Sequence, residues 1–91
     1  MSDRAQVKAT IVNRLGLHAR PATELVETAN QFDATVVIRK NDNEVDGKSI
    51  MQVMLLAATQ GTELEIECVG DDAEACAQAL RELIEAGFSE D

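Results

Sequence analysis

Aromatic side chains are nearly missing from this 91-residue chain, which has no Trp, no Tyr and two Phe. Stacking on unpaired nucleobases therefore cannot be its main activity. Basic residues are also scarce: 8 against 17 acidic ones leave a formal net charge of -9. Such a chain repels nucleic-acid phosphates instead of gathering them. Histidine occurs once, which excludes a His-rich metal site. The two cysteines, Cys68 and Cys76, match no zinc or redox spacing, so buried reduced thiols are expected. No apolar run approaches the length of about 18 residues that a membrane span needs. The start, Met-Ser-Asp-Arg-Ala-Gln, lacks the apolar core of a secretory signal. A cytoplasmic protein with no membrane insertion and no nucleic-acid partner is the expectation.

What is present suits one small domain over residues 1–91. The charge is segregated. Residues 1–62 carry seven basic and seven acidic side chains, whereas residues 63–91 carry ten acidic and one basic. Val7, Ala9 and Ile11 alternate with polar residues over Gln6–Asn13, the pattern of a half-buried strand. Helical spacing follows at Ala22, Leu25, Val26 and Ala29, with Pro21 tolerated near the helix start. Thr35–Lys40 reads as a second strand with Val36 and Ile38 inward. Glu44–Asp46 returns after a turn at Asn41-Asp42-Asn43.

A second helix is expected from Ser49 to about Ala58, with Ser49 and Gln52 as a capping box and Gly61 just past its end. In Thr62–Val69, Leu64, Ile66 and Cys68 should face inward while Glu63, Glu65 and Glu67 face water. Asp71 and Glu74 resemble another capping box. Ala73, Cys76, Ala77, Leu80, Leu83 and Ile84 then stripe a third helix that closes near Gly87, and Ser89-Glu90-Asp91 reads as a solvated terminus. The order β-α-β-β-α-β-α, with one apolar face per strand, implies an α+β fold. Its three helices should cover one face of a four-stranded, mainly antiparallel sheet.

The lone His18 lies between a Gly-containing turn and a helix start. The first N–H groups of a helix have no intrahelical partner and carry partial positive charge, an arrangement that attracts phosphate. Ala19 offers an unobstructed amide, Arg20 a guanidinium fork, and Arg14 further positive charge. A neutral imidazole is a nucleophile that titrates near cellular pH. A labile phosphoryl group on His18 is thus one reading, and a histidine that merely caps a surface helix is the other. A carrier must not hold phosphate too tightly, so His18 should be exposed to solvent. Gly47-Lys48-Ser49 imitates the end of a P-loop, but Asp42 stands where that pattern needs Gly. After Ser49 the residues are nearly all apolar. With Val53 and Leu56 assigned to the core, Ile50, Met51 and Met54 are left toward solvent as an adaptable partner surface.

Gly16-Leu17-His18-Ala19-Arg20-Pro21-Ala22 resembles the active-site signature of the histidine-containing phosphocarrier (HPr) family of the bacterial phosphoenolpyruvate-dependent phosphotransferase system. Lys48-Ser49-Ile50-Met51-Gln52-Val53-Met54 resembles the family's second signature, around a regulatory serine. The resemblance implies an HPr-like open-faced β-sandwich. It also implies that His18 takes phosphate on Nδ1 from phosphorylated Enzyme I and passes it to an enzyme IIA-type domain. Arg20 and the amides of Ala19 and Arg20 would cradle the phosphate. Ser49 would be modified by HPr kinase/phosphorylase. Independently of the resemblance, charge segregation sets Arg14, Arg20 and Lys48 at or near the docking face formed with Ile50, Met51 and Met54. The resemblance further implies a monomeric shuttle, not a turnover enzyme, without metal or organic cofactor. The family's sugar and nitrogen branches are both echoed: Asn13-Arg14-Leu15-Gly16 and the ending Ala86-Gly87-Phe88-Ser89-Glu90-Asp91 resemble the nitrogen type, and the Ser49 segment the kinase-regulated type. The competing class is a regulatory binding module acting through Ile50, Met51 and Met54 without phosphotransfer. The presence of His18 speaks against that as the sole role.

Overall fold

The computed structural model describes residues 3–89. Met1, Ser2, Glu90 and Asp91, at the two ends discussed above, lie outside the described residues. The elements are β1 (Arg4–Thr10), α1 (Ala19–Ala29), β2 (Thr35–Lys40), β3 (Asn43–Asp46), α2 (Ile50–Leu55), β4 (Glu63–Val69), α3 (Ala73–Glu85) and a closing 3-10 turn, Gly87–Ser89. The sheet order is β1-β4-β2-β3, and every pairing is antiparallel.

Alternation explains the layering. Leu64, Ile66 and Cys68 of β4, Val36 and Ile38 of β2 and Ala9 of β1 point into one core and are buried. Leu25 and Ala29 of α1, Val53 of α2 and Cys76, Leu80 and Ile84 of α3 close over them, so the three helices share one face. Both cysteines are buried and free. Burial pushes the Cys68 thiol up to about 12, which leaves it protonated and inert.

The opposite face of the sheet is not simply wet. Glu67, expected to face water, is buried beneath two guanidinium groups. Arg39 donates to it at 2.7 Å while also reaching Glu65 at 3.2 Å and Glu44 at 2.8 Å. Arg4 closes the other side. Register places Glu67 opposite Gln6 on β1 and Val37 on β2, so long arginine side chains on adjacent strands can fold over it. Alternation reports which face a residue takes, and ion pairing then decides its exposure.

Two ends differ from the sequence expectation. First, α2 stops at Leu55, not near Ala58, and Ala57 takes a left-handed φ of 49° while Gly61 serves a later turn. Lys40 Nζ donates to the Leu56 carbonyl at 2.9 Å, satisfying one of the acceptors that the short helix leaves over. Secondly, Asp72, not Asp71, is the N-cap of α3. Its carboxylate accepts instead from the amides of Asp33 and Ala34, both at 2.9 Å, and so ties the α1–β2 loop to α3. The third helix closes near Gly87 as expected, ending at Glu85, and Phe88 then adopts φ 55° and is buried in the closing turn.

Hydrogen bonding from Arg39 holds the Glu67 carboxyl below the usual carboxylate range. A carboxyl depressed in the folded state stabilises above its unfolded pKa and loses that contribution as pH falls through the folded value. Thermal unfolding should therefore show Tm falling below about pH 4.3, the ordinary glutamate value. Glu67→Gln should lower Tm at neutral pH and shrink its own deficit as pH falls. The part of the acid loss that persists is expected from Asp72, which backbone donors hold low in the same way.

Candidate functional site: a histidine at the mouth of the first helix

His18 is the N-cap residue of α1, with extended backbone (φ -76°, ψ -174°). Its carbonyl accepts the first helical bond, from Ala22 N at 3.0 Å. The amides of Ala19 and Arg20 precede that bond and have no acceptor within the helix. Pro21, in the same turn, has no N–H to satisfy. The imidazole makes no capping bond to its own helix and is half-buried, not fully exposed as the sequence suggested. Arg20 is open to solvent, with Glu24 one turn further along.

The segment before His18 is gripped on two sides. Toward the α2–β4 loop, Leu17 N donates to the Ala58 carbonyl at 2.9 Å, Gln60 Nε2 to the Val12 carbonyl at 3.1 Å and Gly61 N to the Ile11 carbonyl at 2.8 Å. Gly16 lies against Ala58 so closely that a Cβ there would sit 2.4 Å from its carbonyl oxygen. On the other side Gly87 of the closing turn faces Val12 and Asn13. Within the loop, buried Asn13 donates from Nδ2 to the Gly16 carbonyl at 2.8 Å. Arg14 and Leu15 are exposed at the tip.

Ser49 is the N-cap of α2, its Oγ accepting from Gln52 N at 3.3 Å. The reciprocal arm of the capping box is displaced, because Gln52 Oε1 accepts from Asp46 N at 2.9 Å. The end of α1 meets the start of α2 at Asn30 Nδ2 and the Lys48 carbonyl, 3.5 Å apart. The far side of α2 reaches the loop before His18 through Ala58. His18 and Ser49 thus occupy opposite ends of α2, whose six residues span about 9 Å. Lys48 does not join the His18 cluster. Its ammonium donates to the Phe32 carbonyl at 2.6 Å, beyond the C-terminal end of α1.

Between the two ends Ile50, Met51 and Met54 are exposed as expected, Met51 to 76%. Sequence reasoning missed Leu55, 79% exposed, and Leu15, 64% exposed, which extend the apolar surface to the His18 loop. The signal for Leu55 was available: once Val53 and Leu56 face the core, a residue between them on so short a helix must point away. Among the described residues no group of His, Cys, Asp and Glu could hold a metal ion, and no helix is long and apolar enough to cross a membrane.

An open-faced antiparallel sandwich with a histidine at a helix mouth defines a phosphocarrier-type domain. Residues 5–86 match the family described as PTS HPr component phosphorylation site. The chain is 48% identical to the phosphocarrier protein HPr of Neisseria meningitidis, covering 88% of this chain and 90% of that one. It is 38% identical to the phosphocarrier protein NPr of Proteus mirabilis, covering 92% and 94%. The crystal structure of an HPr from Thermoanaerobacter tengcongensis superposes with TM-score 0.91 at 40% identity, covering 96% and 98%. The chain belongs to the HPr family of phosphotransferase-system phosphocarriers, proteins that carry a group instead of turning over a substrate.

Gly16→Ala should break the loop's seat. The left-handed φ of 68° alone costs an alanine roughly 1–2 kcal/mol, and the contact with Ala58 adds to it. Tm should fall by roughly 10 °C, and the NMR resonances of His18 and Ala58 should shift. A variant with unchanged Tm and spectra would show that the loop does not rest on this contact.

Proposed function

We propose that His18 receives a phosphoryl group from Enzyme I and hands it to an enzyme IIA-type acceptor. The observation that carries this reading is the position of His18 as the N-cap of α1, directly before two amides without intrahelical partners and two residues before Arg20, whose guanidinium is exposed. With its proton on Nε2, the ring has a lone pair on Nδ1. That lone pair attacks phosphorus as the bond to the donor's imidazole breaks, and the donor ring leaves with the electron pair. The Ala19 and Arg20 amides and the Arg20 guanidinium then face the phosphoryl oxygens. In such an open site these contacts stabilise the phosphate only modestly, which suits onward transfer. Partners dock over the apolar surface of Leu15, Ile50, Met51, Met54 and Leu55, with Arg14 and Arg20 as the cationic rim.

Phosphorylation of Ser49 regulates this exchange. A phosphate there is compatible with the start of α2 electrostatically. At the far end of α2 it acts on whatever lies across the helix, not on the His18 ring. The chain's phosphate should therefore remain chemically transferable while docking weakens.

Mixing the protein with phosphoenolpyruvate and Enzyme I, followed by mass spectrometry, should add one acid-labile phosphate that His18→Ala abolishes. Persistence of that phosphate in the variant would refute the assignment. Ser49→Asp should raise the KM for Enzyme I about tenfold or more with a smaller change in kcat, and equal KM values would remove the regulatory role. Replacing Met51 by Glu should likewise raise KM at unchanged Tm, since its side chain is already in water.

A further inference from the structure

Arg20 has one partner on α1. Its Nε lies 3.9 Å from Glu24 Oε1, an i to i+4 pair in which the arginine is 76% and the glutamate 34% exposed. Contact through Nε leaves both terminal nitrogens of the guanidinium without a hydrogen bond among the described residues. Exposed pairs of this kind are weak and are screened by salt. The order, with the cation nearer the N-terminus, is also the less favourable one on a helix. The pair is therefore strong enough to bias where the guanidinium rests and weak enough to be broken by a dianion.

We propose that Glu24 is a positioning residue for Arg20: it holds the guanidinium along α1 while His18 is unmodified and competes with the phosphoryl group for it afterwards. The inference rests on His18 being the phosphoryl acceptor. Glu24 takes no proton and forms no bond to phosphorus in this scheme. During transfer the donor N–P bond breaks and the Nδ1–P bond of His18 forms, while Arg20 swings between two acceptors. In the unmodified state Glu24 is the anion beside the cation, and in the phosphorylated state Glu24 and the phosphoryl group compete for it. Competition from Glu24 lowers the net gain from binding phosphate and keeps the phosphorylated chain transferable.

Four versions of the full chain test this: unaltered, Glu24→Gln, Arg20→Ala and the double variant. Each is equilibrated at low salt with Enzyme I and limiting phosphoenolpyruvate, and the acid-labile phosphate on each protein is measured. Glu24→Gln should shift the equilibrium toward the phosphorylated chain by about two- to fivefold, the scale of a weak exposed pair. In the Arg20→Ala background the same change should have no effect, because the proposed coupling runs through the guanidinium. NMR should show the Arg20 Nε resonance moving on Glu24→Gln in the unmodified protein, and moving again in the unaltered chain on phosphorylation. An equal shift in both backgrounds would mean that Glu24 acts only through its bare charge, and no shift in either would mean that it does not act; both overturn the proposal. An unaltered chain that accepts no phosphate would defeat the carrier reading itself, a result distinct from a phosphorylated chain indifferent to Glu24.

Discussion

The backbone contact between the His18 loop and the turn after α2 is the constraint on which the site depends. A helix mouth has useful amides only where the chain enters from a fixed direction, and here the entry is set by Leu17 donating to Ala58 and by Gly16 lying flat against the same carbonyl. Glycine is required twice over, for the left-handed φ and for the approach. That contact also couples the reactive loop to α2, so one partner can touch Leu15 and Leu55 together. The short length of α2 is part of the same device. Ala57, in the left-handed region, turns the chain out of the helix just before Ala58, whose carbonyl then accepts from Leu17 N at 2.9 Å.

A carrier works between two failures, holding its cargo too weakly to load or too tightly to unload. This domain places His18, the proposed carrier, at a helix end, half-buried, with an exposed arginine two residues on. Elsewhere the protein does build strong charge clusters. Arg39 engages three carboxylates on the open face of the sheet, and Glu67 is buried under two arginines. The contrast is one of solvent access: Glu67 and Arg39 are mostly covered, whereas Arg20, the proposed phosphate-holding cation, stays in water, where each contact is worth little. The difference separates groups that must stay put from groups that must change partners.

Much of the fold was legible because its signals are local. Thr35–Lys40 is a strand by β-branching, and Leu64, Ile66 and Cys68 sit inward by alternation alone. His18 and Ser49 were legible as cap positions for the same reason, each preceding a helical run. The misreadings share another cause, since they depend on residues distant in sequence. Glu67 was assigned to water because its coverers, Arg4 and Arg39, come from β1 and β2. Asp71 looked like the better cap because its neighbour Asp72 binds Asp33 and Ala34, thirty-nine and thirty-eight residues away. Lys48 is set near the docking face by the sign of its charge, although the Phe32 carbonyl at the other end of α1 holds its ammonium. The end of α2 was misplaced because Ala57 takes a conformation normally left to glycine.

The antiparallel run of α1 against α2 gives the two candidate modification positions different kinds of influence. His18 begins one helix and Ser49 begins the other, so each lies near the end of its neighbour. Ser49 and His18 lie toward opposite ends of α2, so a charge added at Ser49 reaches the imidazole only across the helix and through solvent that weakens it. The same charge lies at the rim of the apolar strip of Ile50, Met51, Met54 and Leu55. In the proposed docking, a partner bridges that strip to reach His18 and desolvates the new phosphate on the way. The regulation proposed for Ser49 therefore needs no conformational relay within the domain. It follows from the partner having to cover both ends of one short helix, which also explains why so small a helix can keep so little of its apolar surface in the core.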